Sequence, residues 1–123
     1  MEMDTNGNQM KEFIRIKKGE YDLGLVFYTY VEEETKVAYT PALELSGIGT
    51  TEQEAVQDLL QIIQITFDYA LTKGTVDEML FDLGWKKVSE KMIEAPVFSD
   101  EEVRHKIKVP HFQKHKELMA IPA

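Results

Sequence analysis

Three histidines near the end of the chain, His105, His111 and His115, are the side chains best suited to binding a metal. His111 and His115 are four residues apart, so their imidazoles would share one face of a helix, with Glu117 close by as a further ligand for Zn²⁺. The HExxH pattern is missing, however, and solvent-facing histidines explain the same residues more simply. We therefore predict no metal site.

The sequence contains no motif that clearly indicates acid-base or nucleophilic catalysis. Two pairs of carboxylates, Glu52 with Glu54 and Asp77 with Glu78, fall where helices are predicted to begin, and acidic residues there stabilise the helix dipole. None of the three serines lies in a G-x-S-x-G elbow, the chain has no cysteine, and no glycine pattern matches a phosphate-binding loop. We expect a protein that is not an enzyme and needs no cofactor.

Aromatic residues on two predicted strands form another candidate surface. Phe27, Tyr28, Tyr30 and Tyr39 could stack nucleic-acid bases, as aromatic residues of RNA-binding sheets do. The same strands lack the interleaved basic residues that phosphate contacts require. An RNA- or nucleic-acid-binding module that combines these strands with a basic tail is therefore the alternative function, and it ranks below protein binding.

Charge is distributed unevenly along the chain. The 123 residues carry a net charge of −8, but residues 104–123 carry a net +4, which leaves −12 for the rest. An acidic body suits a cationic partner and opposes phosphate binding. The length corresponds to a single domain, and a content of 43% hydrophobic residues allows a buried core. Without cysteine or a long apolar run, we expect a cytoplasmic protein with no membrane association.

The longest predicted element is a helix from Thr51 to Lys73. Thr51 and Glu54 form a capping box at its start, and Lys73 with Gly74 favours its end. Its apolar residues recur every three or four positions, so they form one face that needs a sheet to cover. They are Val56, Leu59, Leu60, Ile63, Phe67, Ala70 and Leu71.

Three strands are predicted before this helix. They are Phe13–Lys17, Leu23–Val31 and Val37–Leu45. The second strand is apolar on both faces, which indicates a central position in the sheet. The charged residues between the second and third strands, Glu32–Lys36, predict a turn and hence a hairpin.

The third predicted strand contains Pro41, which has no N–H to donate to a ladder. Proline is confined to edge strands and bulges, so this strand is expected either to lie at the edge of the sheet or to be bulged near the proline. Tyr39, Pro41 and Leu43 are therefore the candidate partner-binding edge. Gly47 and Gly49 follow, and we expect them to end the strand because glycine adopts backbone angles closed to other residues.

Beyond the long helix, a short second helix is predicted for Thr75–Leu83, with Thr75 and Glu78 as its capping box. A strand is predicted for Trp85–Ile93, with Trp85 packed under the helices. Ser99 and Glu102 could cap one further helical turn. Together these elements predict an α+β fold: a disordered leader at residues 1–10, and a domain at 11–94 with a three- to four-stranded antiparallel sheet packed on one long helix.

Residues 95–123 are predicted to form a partly extended C-terminal arm. Ile107 and Val109 alternate with basic residues as in a strand, and the last thirteen residues are either a short amphipathic helix or unstructured until bound. Ile107, Val109 and Phe112 need apolar cover. We name them as candidate arm contacts with a neighbouring subunit, which predicts a homo-oligomer.

The order of residues around the start of the long helix resembles the HicB-like antitoxin family. That family has a Tyr or Phe, a Pro and a Leu on a strand, followed by Gly-x-Thr-x-x-Glu-Ala at the entry to its main helix. The matching residues here are Tyr39, Pro41, Leu43, Gly49, Thr51, Glu54 and Ala55. The resemblance covers about residues 23–71.

The resemblance implies a partial double-stranded-RNA-binding-like fold for residues 11–94, and a role in binding and neutralising a small basic toxin that cleaves RNA. Ser46-Gly47 stands where the family has proline-glycine, and no helix-turn-helix or ribbon-helix-helix segment follows Gly74, so the resemblance does not extend to DNA binding. A stand-alone member of the fold that associates with itself or another protein is equally compatible with these residues.

Overall fold

A computed structural model describes residues 11–122, which form seven strands and three helices in an α+β fold. The elements are β1 Phe13–Lys17, β2 Glu20–Glu32, β3 Thr35–Thr40, β4 Leu45–Gly49, α1 Glu52–Lys73, α2 Val76–Asp82, β5 Lys86–Ser89, β6 Met92–Glu94, α3 Asp100–Ile107 and β7 Gln113–Pro122. The α+β class and the long helix are confirmed, but the predicted strands were too few. The leader predicted at residues 1–10 lies outside the described residues.

β2 is the centre of the sheet, as predicted for Leu23–Val31. Tyr28 pairs with Tyr39 of β3 on one side and with Lys114 of β7 on the other. Glu20 is likewise paired on both sides, by β1 and by β7. β1 and β3 therefore occupy the same edge of β2 one after the other, while β7 lies along the opposite edge. The path through the sheet is β4-β3-β2-β1-β6-β5.

The predicted hairpin between β2 and β3 is confirmed, and its turn is tight. Glu33 and Glu34 form the two-residue loop, and both have positive φ angles, 51° and 72°. Two positive φ angles characterise the type I′ turn, whose twist matches that of the flanking strands. Three consecutive carboxylates, Glu32–Glu34, are consequently exposed at this end of the sheet.

The strand predicted at Val37–Leu45 is two strands, β3 and β4, joined by a turn at Pro41–Glu44. Glu44 has a φ of 55°, and its N–H donates to the carbonyl of Pro41 at 3.2 Å. The prediction that the proline-bearing strand lies at the sheet edge is wrong, because β3 pairs with β2 on one side and β4 on the other. Pro41 ends β3 instead of interrupting it.

Gly47 and Gly49 lie within β4 and do not end a strand, which corrects the prediction for them. Their role is close packing against α1. A Cβ on Gly47 would lie 2.3 Å from the backbone nitrogen of Leu59, and one on Gly49 would lie 2.7 Å from that of Ala55. Glycine is therefore required here because the helix backbone rests directly on the strand.

α1 begins and ends as predicted. The Thr51 hydroxyl accepts from the Glu54 N–H at 3.1 Å, and Gly74 closes the helix with a φ of 71°. The Glu54 carboxylate reaches one residue further back than the predicted capping box, because it accepts from the Thr50 N–H at 2.9 Å and from the Thr50 hydroxyl. The second predicted capping box is wrong, because the Thr75 side chain makes no capping hydrogen bond to α2.

Two hydrophobic clusters lie on opposite faces of β2. The larger cluster joins Leu25 and Phe27 to the buried face of α1, and the smaller one joins Tyr28 to Val103 and Ile107 of α3. Successive residues of a strand point to opposite faces, so a strand that is apolar throughout can serve both clusters. β2 is central, as predicted, because it packs against a hydrophobic cluster on each of its faces.

The region after residue 95 differs most from expectation. Ile107 ends a helix, α3, which is fixed by a reciprocal capping box between Ser99 and Glu102, so the strand predicted around Ile107 and Val109 is wrong. Residues 113–122 are β7, neither a helix nor unstructured, and they form a ten-pair ladder with β2. β7 thus joins the same sheet as the earlier strands, because the second edge of β2 needs a partner, and α3 packs on one face of that sheet.

The strand predicted at Trp85–Ile93 is a short hairpin made by β5 and β6. Trp85 itself precedes β5 and is buried in the larger cluster, as expected. Its indole N–H donates to the carbonyl of Ala42 at 2.8 Å, which ties the end of α2 to the turn after β3. The tryptophan therefore joins two segments that are 43 residues apart.

Candidate functional site

The predicted partner-binding edge is not exposed. Pro41 and Leu43 are buried in the turn between β3 and β4, and Tyr39 is half-buried against the smaller cluster. None of the three lies on a free strand edge. Leu43 belongs to the larger cluster and Tyr39 packs against the smaller one, so core stability accounts for these two residue types.

The predicted arm contacts are covered by the chain itself. Ile107, Val109 and Phe112 pack around Val26 and Tyr28 in the smaller cluster. The Phe112 ring meets the Tyr28 ring edge-on, with centroids 5.2 Å apart. The apolar cover that we expected from a neighbouring subunit is therefore supplied within the chain.

The aromatic strand residues do not form an open stacking platform. Tyr28 is only 2% exposed, Phe27 is buried beneath α1, and Tyr30 and Tyr39 pack against the smaller cluster. The basic residues of the tail also make local contacts: Lys114 lies 3.6 Å from the Asp100 carboxylate. Base stacking on Tyr28, Tyr30 or Tyr39 would require α3 and the residues that flank it to move away.

His111 and His115 do not share a helix face, because the segment that contains His115 is a strand. Within residues 11–122, no three His, Cys, Asp or Glu side chains are grouped closely enough to hold a metal ion. The same described residues include no helix long and apolar enough to cross a membrane.

His115 does take part in a polar contact with Thr29 and Glu52. Its Nε2 lies 2.8 Å from the Thr29 hydroxyl and 3.9 Å from the Glu52 carboxylate, and its ring stacks on Phe27 with centroids 4.9 Å apart. A hydroxyl-activating triad needs the two ring nitrogens to face different partners, with one on the hydroxyl and one on the carboxylate. Here both partners face Nε2, so the arrangement links β2, β7 and α1 without activating the hydroxyl.

An open groove lies beside this contact, between the end of the β2–β3 hairpin and the connection from α3 to β7. It exists because β7 pairs with β2 only as far as Thr29, while β2 continues to Glu32. The groove encloses about 570 Å³. Its lining residues are Thr29, Tyr30, Val31, Lys36, Glu52, Val109, Pro110, His111, Phe112 and Gln113.

Val31 is an apolar side chain that the groove leaves open, with 50% of its surface exposed. The backbone of alternate β2 residues faces β7, and Val31 is the first such residue beyond the last ladder pair at Thr29. Its N–H and C=O therefore point toward the groove. A bound segment could contact both the apolar wall and this strand backbone.

Acidic residues border the groove. The exposed turn Glu32–Glu34 lies at the end of the hairpin, and the Glu52 side chain, 51% exposed, lies at the start of α1. Lys36 and His111 also line the groove, so it is not uniformly acidic. The combination of apolar wall and carboxylate rim suits a segment that carries both apolar and basic side chains.

Sequence patterns gave no signal for a second unusual site, the partly buried carboxyl of Glu12. It accepts from the Val26 N–H at 2.8 Å, and the Thr40 hydroxyl donates to the Val26 carbonyl at 3.0 Å. Burial raises the pKa of Glu12 to about 7, although the Val26 hydrogen bond and the charge of Lys114 act in the opposite direction. The adjoining cleft encloses only about 50 Å³, which is too small for a substrate.

Comparisons of the chain with protein-family models, with curated proteins and with solved structures gave no match.

Proposed function

We propose that this chain is a non-enzymatic, antitoxin-like interaction module that binds a small basic RNA-cleaving protein. The proposal combines the HicB-like order of residues around the start of α1 with the groove beside the β2–β3 turn. The observation that carries it is the exposed Val31 side chain next to the acidic turn Glu32–Glu34. Such a protein would act in the cytoplasm, where its toxin cleaves RNA.

The groove supplies the two kinds of contact that such a partner needs. Apolar side chains of the partner would bury against Val31 and Phe112, which line the groove together. Lys or Arg side chains would meet the carboxylates of the turn, and a net charge of −8 would speed encounter with a cationic protein. The aromatic residues of β2 and β3 pack against the two hydrophobic clusters, so they do not favour nucleic-acid binding as a second candidate.

The test is coexpression with a small basic protein encoded beside this chain, followed by calorimetry and an RNA-cleavage assay on the purified pair. We expect a complex that suppresses cleavage. Val31→Ser and Glu33→Lys should each weaken binding about tenfold, since a lost hot-spot contact costs about 1.4 kcal/mol or more.

Val88→Ser and Glu90→Lys are the matched controls, because Val88 is also about half exposed but lies on β5. They should leave the dissociation constant within about twofold of the unmodified chain. Undiminished cleavage by the toxin in the presence of this chain would reject the function. Equal weakening by the groove variants and the controls would reject the groove as the binding site.

A further inference from the structure

β7 has one edge that no other strand in residues 11–122 covers. It pairs with β2 over ten residues, and its other edge faces outward. The other outer strands are shorter and better protected. Ile48 of β4 donates its N–H to the Asp58 carboxylate at 3.0 Å, and β5 is four residues long with an irregular register. A long open edge is a template for pairing with another strand.

The direction of the outward backbone groups follows from the ladder. The Val26 N–H and C=O bond to Glu12 and Thr40, on the edge of β2 that carries β1 and β3. Because strand residues alternate, the neighbours of Val26 face β7, and the β7 residues opposite those neighbours face back. Leu118 and Ala120 therefore direct their N–H and C=O groups away from β2.

We propose that two copies of this chain pair antiparallel along β7, with the twofold axis at Leu118. This register extends the sheet across two subunits and is self-complementary, as a twofold interface must be. Leu118 then faces Leu118 of the second copy. In the same way, Lys116 of one copy faces Ala120 of the other, and Lys114 faces Pro122. This interface is separate from the groove, which lies at the N-terminal end of β7.

The apolar surface supports a second copy as the occupant. Leu118 is 66% exposed, the largest exposure among the large hydrophobic side chains described. It borders a shallow surface hollow together with Phe13, Met119 and Ala120. Two such surfaces meeting at the axis would bury Leu118 against Leu118, which removes apolar area from water on both subunits.

The charges fit the same register. Ala120 and Pro122 lie beside Asp22 and Glu20 in the ladder with β2. In the dimer, Lys116 would extend across the small Ala120 side chain toward Asp22 of the partner subunit. Lys114 would face Pro122 of the partner subunit, which lies beside Glu20 of the partner subunit. No two like charges would face each other directly across the interface. The lysines on this edge would repel a basic protein, so the toxin-like partner is not its occupant.

A single cysteine tests the register directly, because the natural chain has none. Opposed residues in a hydrogen-bonded antiparallel pair have Cα atoms about 5.5 Å apart, within the range for a disulfide. The full-length Leu118→Cys variant should therefore form a covalent dimer under mild oxidation. Ala120→Cys is the control, since its copies would be about 14 Å apart. Equal crosslinking of the two variants would overturn the proposal.

Sedimentation of the unmodified chain over a concentration series should show a monomer–dimer equilibrium. Ala120→Pro removes an outward N–H without removing a hydrogen bond to β2, so it should shift the chain to monomer with unchanged circular dichroism. If that variant does not fold, Leu118→Lys should have the same effect, and Val88→Lys should have none. A monomer at every concentration, or a dimer that both β7 variants leave intact, would overturn the proposal.

Discussion

At the scale of the residue, Glu12 supplies the acceptor that a neighbouring strand supplies elsewhere along β2. β1 and β3 occupy one edge of β2 in succession, and Val26 lies in the gap between them. The Glu12 carboxyl and the Thr40 hydroxyl satisfy its N–H and C=O. A buried backbone group without a partner would be costly, so these two side chains allow the sheet to fork at this point.

The raised pKa of Glu12 makes stability depend on pH. Its pKa is raised from 4.5 to about 7, so between these values the folded chain keeps a proton that the unfolded chain has lost. The stability contributed by the protonated carboxyl is present below pH 4.5 and is lost as the pH rises to 7, by up to about 3 kcal/mol.

Glu12→Gln should remove this dependence, because the amide still accepts from Val26 but does not ionise. We expect the variant to unfold at higher urea concentration than the unmodified chain at pH 8, and at the same concentration at pH 4.5. Glu90→Gln, at an exposed position, is the control. Parallel pH profiles for the Glu12 variant and the unmodified chain would disprove this role.

At the scale of the element, the close contact between α1 and β4 requires a residue without a side chain at Gly47. Gly47→Ala would place a Cβ 2.3 Å from the Leu59 backbone nitrogen, so the helix must move. We expect a loss of about 1–3 kcal/mol in the free energy of unfolding, measured by urea denaturation. Ser46→Ala, exposed on the same strand, should change it by less than about 0.5 kcal/mol. Comparable losses for the two would show that the close approach does not matter.

The two helix starts give a matched comparison of capping. The Thr51 side chain bonds to the first turn of α1, whereas the Thr75 side chain makes no such bond to α2. Thr51→Ala should lower the free energy of unfolding by about 1 kcal/mol, and Thr75→Ala by less than about 0.5 kcal/mol. Thermal denaturation of both variants tests this, and an equal loss at the two positions would contradict it.

At the scale of the whole molecule, β7 completes both the pairing of β2 and the larger cluster. Ile121 is fully buried in the larger cluster, and β7 provides ten of the residue pairs made by β2. A chain that ends at Phe112 should therefore lose its cooperative thermal transition and bind a dye specific for exposed apolar surface. A sharp transition in the truncated chain would show that β7 is a dispensable arm.

Much of the first part of the fold was predictable because its causes are local. The ends of α1 follow from Thr51 and Gly74, and the β2–β3 hairpin from the charged turn between two apolar runs. The Pro41 prediction failed because a proline can end a strand as well as lie at an edge. Gly47 and Gly49 were misinterpreted because a close helix contact and a turn both favour glycine.

The candidate site was less predictable. Val31 and Glu32–Glu34 were visible as an apolar strand end and a charged turn, but nothing in their spacing showed that residues 109–113 form the opposite wall. Ile107 and Phe112 were recognised as needing cover, while the source of that cover, Tyr28 of the same chain, required the fold.

The sequence by itself determined the class of fold, the long capped helix, the central strand and the acidic turn, since these depend on residues a few positions apart. Only the tertiary structure decided that the tail becomes β7, that Glu12 bonds to Val26, and that a groove and an open strand edge remain. Those features pair residues that are far apart in the chain, and their free energy comes from burial and backbone pairing that no local pattern specifies.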